Sequence, residues 1–202
     1  TDVTPASSAG EVPFMPDVVT INGSPASPSR CAATLDFVRA ALARRGLTSE
    51  AIDVRDIDPV ALTRASFDHR DLRDATALVL GARAVVVATP VYKASYSGVL
   101  KSFLDLLPMS ALEGRTVLPM TTAGSLAHCL ALDYALKPVL AALGARHILQ
   151  GACLLDGDFA YLDDGAIALG GQTGERLTAA VDQLCAALGA GSVRETVKEN
   201  AA

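Results

Sequence analysis

Ala84-Val85-Val86-Val87-Ala88-Thr89 is the stretch that decides the fold. It is continuously apolar rather than alternating, the pattern of a strand covered on both faces of a parallel sheet. Its valines suit extended backbone. Pro90 is expected to stop it, since proline has no N–H to give a sheet ladder. Four other runs share its character. Val18-Val19-Thr20-Ile21, bounded by Asn22-Gly23, reads as the first strand. Ala51-Ile52-Asp53-Val54 is a weaker second, and Thr116 to Thr121 a fourth. A fifth begins at His147-Ile148-Leu149 and ends near Leu155.

Helical periodicity fills the gaps. Cys31, Leu35, Val38 and Leu42 recur at helical spacing and Gly46 closes them. Asp68 is read as the cap of a helix carrying Leu72, Ala75 and Val79, with Gly81 at its end. Another helix runs from about Ser97 to Leu107, and a long one carries Leu132, Leu136, Val139 and Leu143. The last has Thr173 as N-cap, then Leu177, Val181, Leu184 and Leu188. Strands alternating with helices make one α/β domain, a doubly wound five-stranded parallel sheet. The flavodoxin-like order 2-1-3-4-5 fits best, with ligands at the carboxyl ends of strands one and three. The domain is expected over residues 17–190, between a flexible N-terminal tail (1–16) and a polar C-terminal tail (191–202).

The composition agrees. Of 202 residues 50% are apolar and 4% aromatic, so the core must be Ala, Val, Leu and Ile. The net charge is 17 − 22 = −5, which argues against nucleic acid or an anionic membrane as partner. No apolar run is long enough for a membrane span, and the N-terminal stretch lacks the basic start and apolar core of a leader. Cys31, Cys129, Cys153 and Cys185 form no CxxC pair. Their apolar neighbours suggest buried, reduced thiols and hence a cytoplasmic protein. His69, His128 and His147 lack ligand spacing, and no metal site is expected.

Two loops carry candidate chemistry. The first, Asn22-Gly23-Ser24-Pro25-Ala26-Ser27-Pro28-Ser29-Arg30-Cys31, joins strand one to a helix N-terminus. Free amides, the hydroxyls of Ser24, Ser29 and Ser27, and the Arg30 guanidinium would cradle a phosphate. There is no GxGxxG and no GxxxxGK[ST], which leaves a mononucleotide phosphate. An ordinary turn with a serine N-cap fits the same residues. The second, Pro90-Val91-Tyr92-Lys93-Ala94-Ser95-Tyr96-Ser97-Gly98, follows strand three. Its amides suit the edge of a flat heterocycle and its tyrosines the face. Alternatively Tyr92 and Tyr96 pack under a helix or a second subunit. Gly98 is read as permitting close packing at the helix start. That helix is apolar on more than one side (Val99, Phe103, Leu106; Leu100, Leu104, Leu107), which points to a homodimer through it, or a homotetramer.

With these residues quoted, the chain resembles the NAD(P)H-dependent FMN reductase family. The resemblance rests on Ile21 to Pro25 with Ser29-Arg30, on Ala88 to Lys101, and on Leu132 to Leu140. It is most similar to the branch that supplies reduced FMN to alkanesulfonate monooxygenases, runs from about Val18 to Leu155, and fades from Asp156. It implies hydride transfer from NADPH or NADH to flavin N5, and a partner flavin-dependent monooxygenase accepting FMNH2. Carried over by position, Ser24, Ser29, Arg30 and Cys31 fall on the phosphate loop. Pro90, Val91, Tyr92 and Lys93 fall beside the isoalloxazine, and Thr121, Thr122, Ala123 and Gly124 on a third flavin-facing loop. Cys31 stands where a hydroxyl is usual and Ala123 where Gly is common. Since the cofactor carries the chemistry, no catalytic nucleophile is expected.

Pro138 lies inside the predicted long helix and presses on the Tyr134 carbonyl, so a kink or π-type bulge is expected there. Tyr134 is then a candidate modulator at a subunit interface or flavin-adjacent pocket; the alternative is a core position. His128 reads equally as a cofactor contact or as a capping or interface residue. Asp156, Asp158, Asp163 and Asp164 read as a solvated loop. Two other activities share the pattern: an FMN-containing quinone, azo or chromate-type reductase, and a non-catalytic flavodoxin-like electron carrier. Long-chain flavodoxins are usually more acidic than −5.

Overall fold

The computed structural model describes residues 15–189, so most of the N-terminal tail and all of the C-terminal tail lie outside the described residues. Strands β1 (Val18–Asn22), β2 (Ser49–Asp53), β3 (Ala84–Tyr92) and β5 (Thr116–Ala123) form the parallel sheet with two short pieces, β6 (His147–Ile148) and β7 (Ala152–Leu155). The order is β2-β1-β3-β5, with β6 and β7 both beside β5. This is the expected 2-1-3-4-5 order, with the fifth strand split. The split falls at Gly151, at φ +82, where a Cβ would lie 2.2 Å from the Pro119 carbonyl oxygen.

Alternation along each strand divides the core into two layers. Val19, Ile21, Val85, Val87 and Val117 face one side, packed by helices α3 (Arg70–Gly81) and α4 (Gly98–Leu104). Val18, Val86, Ala88, Leu118 and Met120 face the other, packed by α1 (Arg30–Arg44) and α6 (Gly171–Ala187). The continuous apolar reading of the strands therefore follows from coverage on both faces.

Several boundaries differ from expectation, each for a local reason. Pro90 does not end β3, which runs on to Tyr92 and turns back into β4 (Ser95–Tyr96). The Ala88 carbonyl accepts from Gly23 N–H, so Ala88 faces β1. By alternation Pro90 points to that same side, where β1 has already ended, and its missing N–H costs no ladder bond. Asp68 is not the cap of α3; His69 holds the N-cap position with no side-chain bond. Thr173 lies inside the first turn of α6, whose N-cap is Gly170, and donates its hydroxyl to Asp158 instead. Gly98 has open space around it; the close approach is at Gly23, where a Cβ would sit 2.8 Å from Leu100 Cβ.

Helix α4 is shorter than expected and most of its apolar surface is covered from within the chain, with Val99 and Leu106 half-buried. Leu100, Phe103, Leu104 and Leu107 are buried, and the short helix α2 (Pro59–Thr63) packs beside it. Exposed apolar side chains are spread over the described residues, Phe67, Met109 and Tyr161 among them, and three fall close together in sequence on the segment after β5: Leu126, Leu130 and Tyr134, the last 79% exposed. Tyr134 is therefore not a core residue. The long helix is broken into a 3-10 turn (Leu126–His128), a π-helical turn (Leu132–Leu136) and α5 (Lys137–Ala142). The bulge expected from Pro138 is present, with Lys137 N–H bonding five residues back to Leu132.

A hairpin of β8 (Phe159–Tyr161) and β9 (Ile167–Leu169) follows β7. Cys129 and Cys153 are joined by a disulfide, which corrects the reading of four reduced thiols; Cys31 and Cys185 are free and buried. No described helix is long and apolar enough to cross a membrane, and no metal-ligand cluster exists among the described residues.

Candidate functional site at the strand ends

The loops after β1, β3 and β5 meet at the carboxyl ends of the sheet. The β1 loop is ordered by its own side chains. Asn22 Oδ1 accepts from Ser24 N–H at 3.1 Å, and Ser24 Oγ accepts from Ala26 N–H at 3.2 Å. Ser29 is the N-cap of α1, its Oγ accepting from Ala32 N–H at 3.1 Å. Each serine is thus an acceptor toward its own backbone and keeps its hydroxyl proton to donate. The helix start leaves the amides of Arg30 and Cys31 without an intrahelical acceptor. The side chain of Cys31 turns inward. It is 1% exposed, its Sγ lies 3.4 Å from Thr122 Oγ1, and burial pushes the thiol up to about 11. Cys31 therefore offers the site its amide, not a thiolate.

The β3 loop is a tight hairpin. Tyr92 pairs with Ser95, and between them Lys93 and Ala94 have φ of 50° and 62°. A two-residue turn that follows the sheet twist demands positive φ at both positions, usually Asn-Gly. Lys-Ala holds it under strain of about 1 kcal/mol per residue. Tyr92 is exposed, whereas Tyr96 packs against the core, so the two tyrosines separate into a surface residue and a structural one.

Ser97, which residue pattern alone did not single out, ties the first two loops together. It is 1% exposed. Its N–H donates to Thr89 Oγ1 at 3.0 Å, and its Oγ caps α4 by accepting from Leu100 N–H at 3.1 Å. The same Oγ donates to the Gly23 carbonyl at 2.5 Å. The sequence places it in the loop but does not reveal this role, because the partner lies 74 residues away.

The third edge is the end of β5. Thr121, Thr122 and Ala123 are buried, and Gly124 follows at the surface. Thr121 Oγ1 is buried with no partner among the described residues. Pro90 pairs with Thr122 across the sheet, which sets the second and third loops side by side. Beyond them His128 and Tyr134 line a small cavity of about 140 Å³ with Ala94, Ala127, Leu130 and Ala131. A larger hollow of about 510 Å³ lies near Arg83 and Arg115, at the opposite end of the strands. Those guanidiniums are already bonded to Asp17 and to backbone carbonyls, so it carries no free cation.

The acidic stretch after β7 divides: Asp163 and Asp164 are exposed, as expected of a solvated loop, whereas Asp156 and Asp158 are paired. Asp158 is a fold residue: its carboxylate accepts from Leu155 N–H and the Thr173 hydroxyl, both at 2.7 Å, and from Arg176 at 3.1 Å. Partial burial raises its pKa, but those donors together outweigh this and hold it below the usual carboxylate value. Asp156 pairs with Arg30, whose guanidinium also lies 5.9 Å from the centre of the Phe159 ring.

These loops fall within a region shared with known proteins. The family model described as NADPH-dependent FMN reductase matches residues 16–160. A Pseudomonas putida protein named FMN reductase (NADPH) is 47% identical over 146 residues, covering 72% of this chain and 74% of its own length. An Escherichia coli protein of the same name is 48% identical over 136 residues, covering 66% and 70%. Among solved structures, the apo form of the NADH:FMN oxidoreductase EmoB matches with a TM-score of 0.76 at 37% identity, over 86% of this chain and 90% of that one. The family model spans all three strand-end loops, and the chain belongs to the NADPH-dependent FMN reductase family.

Proposed function

We propose that this enzyme binds FMN as a dissociable substrate in the loops after β1, β3 and β5, and passes FMNH2 to a partner flavin-dependent monooxygenase of the sulfonate type. Reduction of FMN by NAD(P)H comes with the family itself. The observation that carries the placement of FMN is the α1 N-terminus. It presents two amides, two hydroxyl protons and Arg30 beside a hairpin and a strand end rich in further amides.

The residues present fit FMN. The amides of Arg30 and Cys31, the hydroxyls of Ser24 and Ser29, and the Arg30 guanidinium suit the phosphate. The partnerless Thr121 hydroxyl stands at the edge where the rest of the molecule would lie. Bound FMN supplies the ring that accepts the hydride. The chain's part is to orient that ring and to favour the negative charge it gains. The amides of Tyr92 and Lys93 in the β3–β4 hairpin and of Thr122 to Gly124 at the end of β5 are the donors for that task, set in place by the strands that carry them. Pro90 and Val91 wall one side, and Ala123 sets the backbone of the third loop. The hydride step itself asks no side chain to move a proton, and the proton that completes FMNH2 would come from solvent.

The exposed residues Leu126, Leu130 and Tyr134 support assembly as a homodimer or homotetramer through the segment after β5. We place the enzyme in the cytoplasm, where the reduced nicotinamide pool is. The test is a coupled assay with a two-component alkanesulfonate monooxygenase, NADPH and FMN. Sulfite release that needs all components supports the reading. FMNH2 formation without sulfite release leaves the reductase and removes the sulfonate-type partner.

A further inference from the structure

Asp156 is the unexpected member of the phosphate end of the site. It opens the 3-10 turn Asp156–Asp158 at the end of β7, outside the three loops. That turn is not slack: Asp158 pins it to Leu155, Thr173 and Arg176. The turn carries the Asp156 carboxylate across to Arg30, the only cationic side chain of the β1 loop. Its other oxygen lies 3.8 Å from the point where a side chain on Gly124 would begin, so it spans from α1 to the end of β5. Arg30 is three-quarters buried and backed by Phe159, which limits where its guanidinium can go.

A phosphate approaching this helix terminus therefore meets a cation already engaged by a carboxylate, and meets the negative charge of that carboxylate as well. We propose that Asp156 is a built-in competitor for Arg30 that weakens retention of the flavin phosphate and so sets how readily FMN and FMNH2 leave. This rests on the reading of the β1 loop as the phosphate site. The competition acts on the phosphate alone. A flavin without one, such as riboflavin, has nothing to exchange for the Arg30–Asp156 pair.

The test is equilibrium titration of the purified protein with FMN and with riboflavin, followed by flavin fluorescence at fixed ionic strength. Wild type, Asp156→Asn and Arg30→Gln are compared. Asp156→Asn should tighten FMN by about three- to fivefold, the range of a partly exposed ion pair. Riboflavin affinity should be unchanged, and the rate of FMN release in stopped flow should fall in proportion. FMN binding that is unchanged or weaker in Asp156→Asn overturns the proposal; weaker binding would make Asp156 a residue that positions Arg30 for the phosphate. An equal gain for both flavins also overturns it. Arg30→Gln separates the two levels. Loss of the preference for FMN over riboflavin keeps the phosphate site whatever Asp156 does. An undiminished preference removes Arg30 from the phosphate site and the proposal with it.

Discussion

The Ser97 hydroxyl stands 2.5 Å from the Gly23 carbonyl oxygen and joins the loop after β1 to the loop after β3. Since the same oxygen caps α4, one buried group serves two partners. Ser97→Ala leaves the Gly23 carbonyl and the Leu100 N–H unsatisfied, at a cost of about 1–3 kcal/mol. The expected result is a lowered midpoint in urea together with a raised KM for FMN. Loss of stability with KM intact would mean that the bond does not hold the site.

The strained turn gives a prediction of opposite sign. Lys93 and Ala94 hold positive φ that Asn and Gly adopt freely. Lys93→Asn combined with Ala94→Gly is expected to stabilise the fold by about 1 kcal/mol, or roughly 3 °C in Tm. Thermal unfolding of the double variant checks it.

The Cys129–Cys153 disulfide closes a sequence separation of 24 residues and ties the segment after β5 to β7. Chain entropy assigns such a link about 3 kcal/mol. Cys129→Ser with Cys153→Ser should lower Tm by roughly 6–10 °C, and reduction of the wild type should do the same. Alkylation of thiols in the native protein without reductant, read by mass spectrometry, should leave both cysteines unlabelled.

Acid should act through Asp158. Its folded pKa lies below the unfolded carboxyl value of 3.8, so its contribution is present above that value and is lost as pH falls through the lowered one. Asp158→Asn should therefore be less stable than wild type near neutrality, and the gap should narrow below about pH 4. Urea midpoints at pH 7 and pH 3 give the comparison.

What the sequence shows of this protein is what short-range physics controls. The run at Ala84 announces a strand covered on both faces. Pro138 announces the π turn at Tyr134, because removing one N–H reshapes only its own helix. The candidate phosphate loop after β1 is visible because its caps and amides lie within ten residues. Residues joined by the fold are not visible in this way. Ser97 with Gly23, Asp156 with Arg30, and Cys129 with Cys153 are neighbours only once the strands have stacked. Pro90 misleads for the same reason: whether its missing N–H matters depends on where β1 ends. The burial of α4 is not visible in this way either, because α2, which packs beside it, lies far from it in sequence.

The most direct test of the account is NADPH oxidation by the purified, gel-filtered protein with and without added FMN under anaerobic conditions. The account predicts a colourless protein that oxidises NADPH only when FMN is supplied, saturably, and releases the reduced flavin. A yellow protein that keeps its flavin through gel filtration, and either turns over other acceptors without added FMN or does not oxidise NADPH at all, would contradict it.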